Sequence, residues 1–138
     1  GVYSGQSALP LDAEEIKYLT NEALESCRVF DWQNNKETSV YDMEKANGKD
    51  PYEMFLSGPL SLVTVENPNA STDKELVVFR DSFGSSIAPF FAEGYSKITL
   101  IDTRYIQPQI LDKWVDFSSC DVLFIYSTLV LNNSNTLK

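Results

Sequence analysis

The chain contains no histidine. Neither a Ser-His-Asp triad nor a His-ligated metal site can be completed from its own residues. Cysteine is scarce as well. Cys27 and Cys120 are the only two, too few for a disulfide framework or a zinc site, and both are expected to be buried free thiols. No apolar run approaches the ~20 residues that span a bilayer as a helix, and no signal peptide is present. The sequence opens on Gly1 rather than methionine. It is therefore expected to be a trimmed piece whose targeting segment, if it has one, lies outside it. There is no Gly-rich phosphate loop ending in Lys-Ser/Thr and no Gly-x-Gly-x-x-Gly fingerprint, so no cofactor is called for. Positive charge is short. Eleven Lys and Arg face twenty Asp and Glu, a net charge of −9, which argues against unassisted binding to nucleic acid or to an anionic membrane surface.

What is there fits one domain of 138 residues, burying roughly two-thirds of its unfolded surface. Its organising stretch is residues 75–87, ELVVFRDSFGSSI. Leu76, Val77, Val78 and Phe79 form a continuous apolar run, the mark of a strand covered on both faces. The chain then turns through Arg80, Asp81, Ser82, Phe83 and Gly84 into an apolar stretch, 87–92, that predicts a helix. Such a turn sets the Ser82 hydroxyl at the carboxyl end of a parallel strand, where open α/β sheets bind ligands. It also leaves backbone N–H groups free to face an anion. The plainer reading is that Asp81 and Ser82 only start and cap the helix.

Ahead of this stretch, residues 1–10 are expected to be extended. Asp12 and Glu15 form a capping-box variant, with Leu11 and Ile16 placed as a staple. Ile16, Leu19, Ala23 and Leu24 then predict a helix to about Glu25. Residues 27–32 and 38–43 predict a β-hairpin around Gln33-Asn34-Asn35-Lys36, packed by Phe30, Trp32 and Tyr41. Asp50 as N-cap with Pro51 at N1 predicts a short helix ended by Ser57-Gly58-Pro59. Residues 60–66 form a strand. The connection to Glu75 is short for a parallel crossover, which favours antiparallel pairing or a change of sheet position. Beyond the central turn, Pro89 sits in the first turn of the helix and Gly94 stops it. Residues 97–102 (KITLID) complete a βαβ unit. A short helix over 109–114, a third parallel strand at 121–126 (DVLFIY) and a loop or short helix from Thr128 close the chain.

Three strand ends thereby share one sheet edge. They offer Asp81 and Ser82; Asp102, Thr103, Arg104 and Tyr105; and Tyr126, Ser127 and Thr128. A hydroxyl, a guanidinium and small polar groups around one crevice suit an acyl or oxyanion site. The alternatives are a surface ion pair for Arg104 with Asp81 or Asp102, packing under the loop for Tyr105, a solvated strand end for Arg80 and a turn cap for Asp102.

The run VVFRDSFGSSIAPFFAEGYSKITLIDTRYI resembles the carboxyl-terminal part of the bacterial DHHW-motif family, an SGNH-hydrolase-like group that includes the alginate O-acetyltransferase-like proteins. The resemblance is strongest over 76–106. It continues through DVLFIY and, more weakly, through YEMFLSGPLSLVTVEN. It implies a three-layer α/β/α flavodoxin-like fold with a mostly parallel sheet, carrying an added N-terminal helix and β-hairpin. It further implies Ser82 as nucleophile, Asp81 orienting the turn, backbone N–H groups around Ser82 and Gly84 as oxyanion donors, and Arg104, with Tyr105, facing the same crevice. Two departures stand out. Arg80 occupies a position where the acetyltransferases have glycine, and the Asp-His-His-Trp motif is absent. The chain thus resembles the family's domain without its amino-terminal portion, and as a serine hydrolase it should be inactive. The expected parent transfers or hydrolyses acetyl esters on cell-surface carbohydrate, outside the cytoplasmic membrane. The other reading is a non-catalytic carbohydrate-binding or assembly domain. A phosphoacceptor receiver domain has only Asp81 and Asp102 in its favour.

Overall fold

The computed structural model describes residues 15–138. The expected extended start, the Asp12 cap and the Leu11 staple lie outside the described residues. The helix expected from Ile16 is not formed there. Residues 15–21 have no regular structure and Leu19 is 74% exposed. Helix α1 is only Glu22–Ser26, started by Asn21, whose side chain accepts a hydrogen bond from the Leu24 N–H at 2.9 Å. Asparagine is a strong N-cap, and it restarts the chain where the apolar spacing alone would run through.

Six strands form one sheet. Strands β1 (Arg28–Asp31), β2 (Lys36–Thr38), β3 (Leu62–Glu66), β4 (Glu75–Arg80), β5 (Lys97–Ile101) and β6 (Cys120–Ile125) stand in the order β2-β1-β3-β5-β4-β6. The β1–β2 hairpin is present, but its second strand is displaced: it begins at Lys36, expected in the turn, and shares only Thr38 with the expected 38–43. Asp31 holds its turn by accepting from the Gln33 and Asn34 N–H groups, each at 3.0 Å, and Asn35 takes the left-handed conformation that asparagine tolerates. Phe30 and Trp32 pack edge to face there, whereas Tyr41 packs on Phe55 and Tyr18.

The sheet is mixed, which corrects the mostly parallel flavodoxin-like expectation. Pairings β1–β2, β1–β3 and β3–β5 are antiparallel, and only β4–β5 and β4–β6 are parallel. The physical reason is the short link from β3 to β4. It cannot carry a crossover, so β3 lies across β5, and the hairpin extends the sheet from β3 instead of standing apart.

Both faces of the sheet are packed. One holds Val29, Val63, Val65, Leu76, Val78, Ile98 and Leu100 beneath Leu56, Leu60, Ala88 and Ala92. The other holds Leu62, Val77, Phe79 and Ile101 beneath Leu111 and Val115. The covering segments are short. Helix α3 (Gly84–Ile87) runs straight into a 3-10 turn over Ala88–Glu93 that takes Pro89 early, and Pro108–Lys113 is also 3-10. Helix α2 (Met43–Ala46) occupies part of the expected second hairpin strand. Asp50 and Pro51 start the 3-10 turn Pro51–Met54 as expected, and helix α4 (Thr128–Asn132) follows β6. After Pro51–Met54 the backbone turns left-handed at three residues in a row: Leu56 (φ 52), Ser57 (φ 60) and Gly58 (φ 95). Two of these are not glycine, a strained arrangement. It is held by the Lys45 Nζ donating to the Ser57 carbonyl at 2.6 Å and by the Ser57 hydroxyl donating to Asp42 at 2.8 Å.

Strand β6 departs most from its sequence. DVLFIY matches a strand covered on both sides, yet β6 is an edge strand with Val122 44% and Phe124 66% exposed. Phe124 stacks on Phe79, its centroid 4.7 Å away, and among the described residues no element covers it from outside. Lysine on such an edge discourages strand-to-strand association. Val122→Lys should therefore reduce light scattering at high protein concentration while stability changes by about 1 kcal/mol or less. The two thiols are free and half-buried rather than fully buried, and burial pushes both up from the ordinary cysteine range.

Candidate functional site

Strand β4 is flanked by β5 on one side and β6 on the other: the connection out of β4 leads to β5, and the next one, out of β5, runs back past β4 to β6. The carboxyl end of such a strand is the topological switch point, where a crevice opens. Ser82 is the second residue past that end.

The turn is built by Asp81. Its side chain is buried, accepting from the Phe83 N–H at 3.0 Å through Oδ1 and from the Ser127 N–H at 2.7 Å through Oδ2. The Gly84 N–H donates to the Asp81 carbonyl and the Ser85 N–H to the Ser82 carbonyl, each at 3.1 Å. Asp81 therefore ties the Ser82 turn to the start of α4, and its carboxylate faces backbone amides. The Phe83 and Gly84 amides are engaged inside the turn. Among the described residues the Ser82 N–H and the Ser82 hydroxyl have no hydrogen-bond partner.

Gly84 serves the turn in another way. A Cβ added there would stand 2.6 Å from the Cβ of Arg80. Both atoms are rooted in backbone and neither can swing aside. Gly84→Ala should cost about 1–3 kcal/mol through this overlap, read as a lower midpoint in urea unfolding. Gly84 lies under the turn and does not line the crevice.

Arg80 is not a solvated strand end. Its guanidinium is fully buried, donating through Nη2 to the Leu60 carbonyl at 3.1 Å and standing 3.8 Å through Nη1 from the Asp102 carboxylate. Its Nε and Nη1 make no hydrogen bond. Burial lowers its pKa, and nearby Asp102 opposes that shift. Asp102, also fully buried, accepts from Arg104 three times: from the backbone N–H at 3.1 Å, from Nε at 2.9 Å and from Nη2 at 2.6 Å. Asp102 thus caps its turn and fixes a bidentate partner at once. That hydrogen bonding is the main reason the Arg104 pKa is raised. Arg104 also lies over the Tyr105 ring, 5.3 Å from its centroid.

These groups meet at a cavity of about 400 Å³. Ser82, Phe83, Ser85, Arg104 and Tyr105 line one side of it, and Leu129 reaches in from α4. The opposite wall is Asp50, Tyr52, Glu53, Phe55, Gly58 and Pro59, part of it the left-handed turn. The structure thus brings Ser82, Arg104 and Tyr105 to one cavity, with Asp81 and Gly84 behind them. The tyrosine hydroxyl of Tyr52 bridges the Phe83 carbonyl (3.2 Å) and the Ser86 hydroxyl (3.0 Å), and burial raises its pKa. Tyr52, Phe55, Phe83, Ser85 and Leu129 were not singled out from sequence. The Gly58-Pro59 stop was the available signal, since a chain reversing there must face some neighbouring loop. Among the described residues no cluster of three His, Cys, Asp or Glu side chains could hold a metal ion.

No protein-family model matches the chain, and no curated protein matches it in sequence. Solved structures do share its fold. One is a DHHW family protein from Eubacterium siraeum, 24% identical with a TM-score of 0.60, over 80% of this chain and 38% of that one. Another is Bacillus cereus PatB1 with a sulfonyl adduct, 22% identical with a TM-score of 0.63, over 94% of this chain and 45% of that one. A further structure of PatB1 is 21% identical with a TM-score of 0.56. The chain spans less than half the length of each of these structures.

Proposed function

We propose that this chain carries the nucleophile-bearing part of an acyltransferase or esterase site related to the DHHW and SGNH-hydrolase-like proteins. The observation that supports the reading best is Ser82, an unpartnered hydroxyl at the switch point, lining one cavity with Arg104. In this reading the Ser82 Oγ attacks the carbonyl carbon of an acyl ester while its proton passes to a base. The Ser82 N–H is the available backbone donor to the developing oxyanion. The ester C–O bond then breaks, the leaving alcohol takes the proton, and the acyl-serine is passed to water or to an acceptor hydroxyl. Asp81 holds the turn, and Arg104 and Tyr105 bind the substrate. The base is a histidine supplied from outside these 138 residues. Acetyl esters of cell-surface carbohydrate, met outside the cytoplasmic membrane, are the proposed substrates. Support by analogy comes from PatB1, which shares the fold and has been obtained with a sulfonyl adduct, since sulfonyl groups are captured by nucleophilic side chains.

The test is covalent labelling with a fluorophosphonate, located by peptide mass spectrometry. Modification at Ser82 that disappears in Ser82→Ala supports the reading. Absence of Ser82 labelling even with an added base defeats it. The aromatic lining of Tyr52, Phe55, Phe83 and Tyr105 favours a second reading, a carbohydrate-binding domain without catalysis. That reading expects saccharide binding by calorimetry that survives Ser82→Ala.

A further inference from the structure

We propose that Arg80 is a positioning residue of this site: buried beneath the Ser82 turn, it ties that turn to the Leu60 wall and to the Asp102–Arg104 pair. It thereby sets where the Arg104 guanidinium stands relative to the Ser82 hydroxyl. The inference rests on the proposed function only for what Ser82 does. The geometry of Arg80 stands apart from it.

Three contacts carry the argument. The stem of Arg80 fits beneath Gly84, where not even one methyl group could be added without overlap. Its Nη2 donates to the carbonyl of Leu60, just beyond the Gly58-Pro59 part of the opposite wall. Its Nη1 faces the Asp102 oxygen that also receives Arg104 Nη2. One side chain therefore touches the turn through its stem and, through its planar head, both the residue next to the wall and the holder of Arg104. A lysine could reach one of those acceptors but could not span them.

Stability does not account for this arginine. Two of its nitrogens are buried without an acceptor, a condition that destabilises a fold and that native proteins keep mainly where function needs it. Asp102 would remain doubly bonded to Arg104 if Arg80 were removed. A methionine of similar length therefore removes an unsatisfied cation and leaves no unpaired charge behind.

The experiment compares wild type, Arg80→Met and Arg80→Lys by three measurements. These are thermal midpoint, hydrogen exchange of the Arg104 Nε–H by nitrogen-15 NMR, and the rate of fluorophosphonate labelling at Ser82 with imidazole present. Arg80→Met is expected to melt within about 3 °C of wild type or higher. Its Arg104 Nε–H should exchange about tenfold faster, and Ser82 labelling should slow about tenfold to a hundredfold. Arg80→Lys should fall between the two. A folded Arg80→Met with wild-type exchange at Arg104 and wild-type labelling would overturn the inference. So would unfolding of both variants, which would make Arg80 an element of the fold alone. If Ser82 is not labelled even in wild type, the proposed function fails, and the Arg104 exchange still decides the role of Arg80.

Discussion

Asp102→Ala should lower the stability of the fold by about 3–5 kcal/mol, the range for breaking a buried ion pair by removing one partner. The expected size follows from what the carboxylate holds. It receives three donors from Arg104 and stands 3.8 Å from a guanidinium with no exposure to water. Arg104 is partly exposed and can turn to solvent once released. Arg80 cannot. It would keep one hydrogen bond, to Leu60, and lose the counter-charge that offsets its desolvation. For a chain of this length the thermal midpoint should fall by roughly 10–15 °C. Removing Arg80 instead should have little effect on stability, because Asp102 retains Arg104. The measurement is chemical denaturation of both variants, and comparable losses for the two would contradict the asymmetry.

The second large effect concerns reactivity. Loss of the base alone removes on the order of 10⁶ in turnover from a serine enzyme, and this chain has no imidazole of its own. Ser82 should therefore react with a fluorophosphonate no faster than a free serine at neutral pH. Adding imidazole to high concentration should raise the Ser82 rate by about tenfold or more, as a mobile general base recovers part of what a fixed one gives. Ser134, which is exposed and lies outside this cavity, supplies the internal control. Equal acceleration at both serines would mean that the cavity contributes nothing to Ser82.

The fold was legible where local rules and tertiary context agree. The apolar run of β4 and the Asp50-Pro51 start were visible in the residues and lie where expected, and the hairpin was visible too, though its second strand starts earlier than expected. Strand β6 is the third parallel strand expected, but its place at the edge is not legible, because a continuous apolar run has the same appearance at an edge as in a covered centre. The burial of Arg80 is not legible locally, because arginine at a strand end is ordinarily solvated. The facts that bury it are a carboxylate at position 102 and a missing side chain at position 84, distances that no local window joins. Ser82, Arg104 and Tyr105 could be named from the strand ends alone. The facing wall could not, because it depends on Leu56 and Ser57 adopting a conformation that neither residue favours.

The clasp between Asp81 and the Ser127 amide has a kinetic consequence. Among the described residues strand β6 is held on one side only, by its ladder to β4, and its far end is fastened to the Ser82 bend by that clasp and by the Asp81 N–H to the Ile125 carbonyl. When the margin of the sheet breathes, the bend loses its anchor in the same event. The crevice and the outermost ribbon should therefore come and go as one cooperative unit, assembled late in folding and the first to be lost.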